Sequence, residues 1–200
     1  NMLEYYKDDS RIMSITGNNF QDNPVGEASY YLSYIPTCWG WATWRRSWAL
    51  MDIQMNDFPL FKQTNQINNV FYDSLARNFW LTRFDEAYNG ANTWAYQWTF
   101  CHMLNGGCCV VPNRNLVSNI GFGTTATHAV LNESLFSRNE TVEISEIIHP
   151  RALIRQIYAD QALTRKITKE QFTLKMRSTK FFRSLIPKVK FCNPFRKCTY

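Results

Sequence analysis

The stretch Cys38–Asp52, CWGWATWRRSWALMD, decides the reading of the fold, because its hydrophobic period changes partway along. Trp39 and Trp41 stand two apart, as on one face of a strand. Trp41, Trp44 and Trp48 follow steps of three and four, as on one side of a helix. The change falls at Thr43, whose hydroxyl suits a helix N-cap. The segment therefore reads as strand or loop, then a helix beginning at Trp44. Gly40 lies between the first two tryptophans and allows a ligand to come close to the backbone.

Working outward, Arg11–Thr16 (RIMSIT) reads as a short buried strand, turned out by Gly17-Asn18-Asn19. Gln21–Ser29 is a polar loop and Tyr30–Ile35 a second strand. A helix is expected near Asn69–Trp80. Another is expected over Trp94–Leu104, capped by Asn92-Thr93, striped by Trp94, Trp98 and Cys101, and stopped by Asn105-Gly106-Gly107. Cys108–Val111 is a strand ended by Pro112, Asn113–Thr127 an ordered loop rich in Asn, Gly and Thr, and Arg151–Leu163 a helix. Met2, Leu3, Tyr5 and Tyr6 form a helical stripe with no cap before it, as if the chain began inside an element. Alternating strands and helices give an α/β class with a partly parallel sheet, one edge of it bare. Such a sheet gathers its ligand at the carboxyl ends of its strands. The loops at Gly17–Asn19, Trp39–Thr43 and Asn113–His128 are therefore the candidates.

Composition sets limits. The 200 residues suit one domain with a sizeable core, and 45% are hydrophobic and 19% charged, an ordinary globular balance. The net charge of +6 is uneven. Residues 165–200 hold eleven Lys/Arg against one acid, Glu170, leaving the body mildly acidic. The division expected is residues 1–163 as the folded body and 164–200 as a basic, aromatic-rich tail. Phe181, Phe182, Leu185, Ile186, Phe191 and Phe195 interleave with its charges, which fits peripheral contact with an anionic membrane; nucleic acid is the second reading. The six cysteines lack zinc spacing and are too few for a disulfide scaffold, so they read as reduced thiols in a cytoplasmic protein, peripheral to the inner face of the membrane through the tail. No apolar run is long enough to span a bilayer.

SITGNNFQ at Ser14–Gln21, CWGWATWRRSW at Cys38–Trp48, TWAYQW at Thr93–Trp98 and PNRNLVSNIGFGTTATH at Pro112–His128 together resemble one family. They are similar to bacterial glycosyltransferases with the GT-A nucleotide-diphospho-sugar transferase fold and, more distantly, to eukaryotic N-acetylglucosaminyltransferases of that fold. The likeness covers roughly residues 1 to 160. It implies transfer of a sugar from a nucleotide donor to a glycan or lipid-linked acceptor, as in cell-surface polysaccharide or glycoconjugate synthesis. It implies Mn2+ or Mg2+ bridging the donor's phosphates. It further implies that an N-terminal nucleotide-binding half, ending in an acidic metal motif, belongs before these residues.

On this resemblance Trp39, Gly40 and Trp41 flank the sugar, while Asn19, Asn119 and Gly121 shape the loops near it. His128, the one histidine on those loops, is the metal-ligand candidate. Ala95 stands where the family places an aspartate, at the start of a helix, where an acid would serve as general base. The substitute acids are Asp85 and Glu86, the pair nearest before that helix. A catalytically silent relative that binds a glycan or a partner enzyme is the alternative. Asp8-Asp9 reads as a solvated turn, Arg45-Arg46 as solvated surface, His102 as structural and His149 as loop.

Overall fold

The computed structural model describes residues 1–118 and 140–185, with side chains to residue 172. The elements run α1 (Met2–Tyr5), β1 (Ile12–Thr16), β2 (Tyr30–Ser33), β3 (Trp41–Thr43), α2 (Arg45–Trp48), α3 (Phe58–Gln63), α4 (Ile67–Val70), α5 (Ser74–Tyr88), α6 (Ala95–Asn105), β4 (Cys108–Pro112) and α7 (Ile157–Leu185). The class is mixed α/β. One four-stranded sheet has the order β2-β4-β1-β3. β1 and β4 are parallel, and β2 and β3 join them antiparallel at the two edges. Among the described residues, the outer side of β3 carries no paired strand.

The sheet is covered on both faces. Ile12, Tyr30, Leu32, Cys108 and Val110 pack with Tyr6, Met2, Trp44 and Leu153. Met13 packs with Trp98 and Cys101 of α6, while Tyr31, Cys109 and Val111 pack with Ala159 of α7. A register shift between Ile12 and Ser14 lets both Met13 and Ser14 reach α6, where Ser14 Oγ meets His102 Nε2 at 2.8 Å. A second core joins the helices, with Phe58, Phe61, Phe84 and Phe100 interlocked edge to face.

Local chemistry explains the element ends. Thr93 Oγ1 accepts from Ala95 N at 3.2 Å, and Gly106 closes α6 at φ +62°. Residues 97–103 of α6 are all buried, so the expected one-sided stripe became a helix buried all round between the sheet and α5. The helix expected over Asn69–Trp80 begins later, because Asp73 accepts from Leu75 N and caps α5. Thr43 does not cap α2; its hydroxyl donates to Met13 O at 2.7 Å as part of β3, and α2 starts at Arg45. Asn1 does cap α1, accepting from Leu3 N, which corrects the uncapped start.

α7 crosses the expected boundary at residue 163. Leu163, Thr164 and Glu170 are buried, and Ile167 packs on the helical core, so the first part of the basic segment belongs to the fold. Asp160 ties α7 down: it accepts from Ser33 Oγ at 2.5 Å, Tyr34 N at 3.2 Å and Arg155 Nε at 2.7 Å. Burial pushes its carboxyl above the usual range, against the pull of Arg155 and these donors. Arg155 in turn lies over the ring of Tyr34, 4.0 Å from its centroid, and donates to Val70 O. Among the described residues no helix is long and apolar enough to cross a membrane.

Candidate functional site at the carboxyl ends of the parallel strands

Three connections meet where β1 and β4 end. Leu116 N donates to Gly17 O at 2.8 Å, and Asn19 N donates to Asn115 Oδ1 at 3.1 Å, lacing the turn after β1 to the segment after β4. Thr16 Oγ1 donates to Asn18 Oδ1 at 2.7 Å and lies 3.0 Å from Thr37 Oγ1, which brings in the segment before β3. Gly17 and Gly40 are packed so closely that a Cβ would meet Val117 Cγ1 at 2.8 Å and 2.5 Å, respectively. Gly40 also holds φ at +60°, where a side chain is strained.

Two chambers open at this junction. One, of about 270 Å³, is walled by Phe20, Ile35, Pro36, Cys38, Trp39, Trp80, Tyr96 and Ile167, with Asn18, Thr37, Ala95 and Thr99 also on it. The other, of about 390 Å³, is lined mainly by Asn19, Gln21, Asp22, Asn23, Asn113, Arg114, Asn115, Glu140 and Lys166. Phe20 lines both, and Lys166 and Ile167 of α7 face one chamber each. Lys166 Nζ is held by Asp22 at 2.6 Å and by Phe20 O at 2.9 Å, so the polar chamber has an anchored cation. Asn18 is 1% exposed, and its Nδ2 has no hydrogen-bond partner. Burial pushes the Cys38 thiol up, which keeps it protonated and unreactive beside the apolar chamber.

The expected site residues part company here. Trp39 lines the apolar chamber, edge-on to Phe20 at 5.3 Å, and Gly40 sits against Val117. Trp41 turns away, because the left-handed Gly40 breaks the strand between them. Its ring joins Trp94, Trp48 and Trp98 at 5.3, 5.9 and 6.0 Å. Trp48 and Trp94 are the exposed members of that cluster, beside Met51 and Ile53. Asn19 reaches the polar chamber, but its Oδ1 accepts from Gln21 N and shapes the turn. Asp85 and Glu86 are not brought to the junction. They lie near the end of α5, where Lys62 Nζ donates to Asp85 at 2.6 and 2.7 Å and Arg83 pairs with Glu86 at 2.9 Å. Asn119, Gly121 and His128 lie outside the described residues.

Arg46 is not solvated surface. Its guanidinium donates to the carbonyls of Tyr6, Lys7, Asp9 and Ile12, closing the amino end of β1. His102 is structural: Nδ1 donates to Trp98 O, Nε2 accepts from Ser14, and burial lowers its pKa to about 4. Among the described residues no cluster of three His, Cys, Asp or Glu side chains is placed to hold a metal. Asn18, Phe20, Tyr96 and Arg114 lie inside the quoted motifs, Asn18 and Arg114 on candidate loops, yet none stood out as a site residue. It is the meeting of distant segments that makes them a wall. No protein-family model, curated protein or solved structure matches the chain.

Proposed function

We propose that the chain forms the acceptor-side part of a nucleotide-sugar-dependent glycosyltransferase of the GT-A type, the nucleotide being held by polypeptide outside these residues. The observation that carries this reading is the junction at the carboxyl ends of β1 and β4, where Gly17, Gly40 and Val117 meet beside two chambers. An α/β sheet binds its ligand at that end. The motifs that carry the family resemblance, those around Gly17, Trp39 and Ala95 among them, supply its walls. The polar chamber offers amide, guanidinium and ammonium donors and the Asp22 carboxylate, a set that matches sugar hydroxyls. The divalent ion stays part of the proposal through His128, and no step is derived through it.

One observation favours a second reading, a ligand-binding relative without transfer. Ala95 stands on the apolar chamber at the first turn of α6, and among the described residues no acid lines that chamber. The test is sugar transfer by the full-length protein from a panel of nucleotide-sugar donors with manganese, read by mass spectrometry, in wild type and Ala95→Asp. The transferase reading predicts product with wild type and about 100-fold more with Ala95→Asp, the lower end of what a general base contributes. No product with either protein would remove transfer and leave the binding reading.

A further inference from the structure

We infer that the ligand of this cleft is an amphipathic glycoside: a sugar in the polar chamber, joined by its glycosidic oxygen to an apolar aglycone in the other. This rests on reading the cleft as an acceptor side, and it names which kind of acceptor fits.

The two chambers are chemically opposite and adjoin. They share Phe20, and the consecutive pairs Asn18-Asn19 and Lys166-Ile167 contribute one residue to each side. A sugar ring placed among Ile35, Trp39, Trp80 and Ile167 would lose water from its hydroxyls and gain few partners. An alkyl or aryl group placed beside Asp22, Arg114 and Lys166 would gain little burial. At about 270 Å³ the apolar chamber is smaller than the roughly 300–1,000 Å³ usual for a whole ligand, so it suits one apolar moiety of a larger molecule. Asn18, on the apolar chamber and next in sequence to Asn19 of the polar one, holds a buried donor in need of an acceptor, Nδ2, on an amide whose χ2 is soft. A glycosidic oxygen is an acceptor at the matching point of the ligand, between its polar and apolar parts.

The test is calorimetric titration of the full chain with matched octyl and methyl glycosides of glucose, galactose and N-acetylglucosamine, all below micelle-forming concentrations. No nucleotide donor is present, so the result is separate from that of the transfer assay. At least one octyl glycoside is expected to bind about ten-fold or more tightly than its methyl partner. Ala95→Leu, which fills the apolar chamber, and Trp39→Ala, which removes part of its lining, are expected to erase most of that ratio. Arg114→Ala is expected to weaken octyl and methyl forms alike, about five-fold. Equal binding of every octyl and methyl pair would overturn the inference. So would an octyl preference that survives both apolar-wall variants, which would place the chain on the Trp48–Trp94 patch, or an Arg114→Ala protein that binds as wild type.

Discussion

The two ends of the sheet are finished in opposite ways. At the amino end, polar groups are consumed. Arg46 donates to four carbonyls around the start of β1, and Asp9 holds Arg11 through two side-chain bonds. At the same end, Asp160 joins the end of β2 to α7 through Ser33, Tyr34 and Arg155. At the carboxyl end, backbone turns are laced together by Asn115 and Thr16, yet the side chains beyond them border open chambers, and Asn18 retains an unused donor. A fold that spends its polar groups at one end and leaves them available at the other separates stability from binding. Substitutions at the two ends should therefore differ in kind.

The largest effect is expected at the closed end. Asp160→Ala strands the half-buried Arg155 guanidinium and two further donors, and should lower unfolding free energy by about 3–5 kcal/mol in denaturant titration. A loss below about 1 kcal/mol would mean that the clasp is not what holds α7.

Between the two ends lies His102, neutral and fully buried, with its pKa lowered to about 4 from 6.5. Between those values the unfolded chain binds the proton and the folded one does not. Stability from this group is therefore intact above pH 6.5, declines as pH falls, and levels off below about 4, a change of roughly 3 kcal/mol. The slope should be present in wild type and absent in His102→Asn. Parallel curves would assign the acid sensitivity to other groups.

At the open end, Gly40→Ala should cost about 2 kcal/mol, since a Cβ meets Val117 Cγ1 at 2.5 Å on a left-handed backbone. It should also weaken glycoside binding, because Gly40 adjoins Trp39, which lines the apolar chamber. The smallest effect on stability, within about 0.5 kcal/mol, is expected from Arg114→Ala, which lies exposed on the polar chamber. Its effect on ligand affinity should be the larger one, the reverse of Asp160→Ala.

Much of the fold was legible because local signals and packing agreed. The RIMSIT strand, the Gly106 stop of α6 and the strand ending at Pro112 all follow from patterns within a few residues, whereas the N-cap of α6 falls at Trp94, one residue after Thr93. The start of α2 was misplaced because Thr43 had two uses for its hydroxyl, and the bond to Met13 O across the sheet won over a cap. The extent of α7 was hidden because basic residues that look solvated, such as Lys166, are anchored by partners more than a hundred positions away. The site was legible as loops but not as walls. Trp39 and Trp41 look equivalent in sequence, and only the positive φ of Gly40 sends one to the cleft and the other to the tryptophan cluster. Asp85 and Glu86 were singled out by nearness along the chain, whereas the turn of α5 commits them to Lys62 and Arg83.

The most direct test of the open-end account is the mapping of backbone amide shifts by nuclear magnetic resonance as an octyl glycoside is added to the full chain. The account predicts shifts concentrated at Gly17–Phe20, Trp39-Gly40, Ala95–Thr99 and Arg114-Asn115, with the amino-end residues Arg11, Arg46 and Asp160 unmoved. Shifts confined to Trp48 and Ile53, or to the cavity beside Tyr30 and His149, with none at the carboxyl ends of β1 and β4, would contradict it.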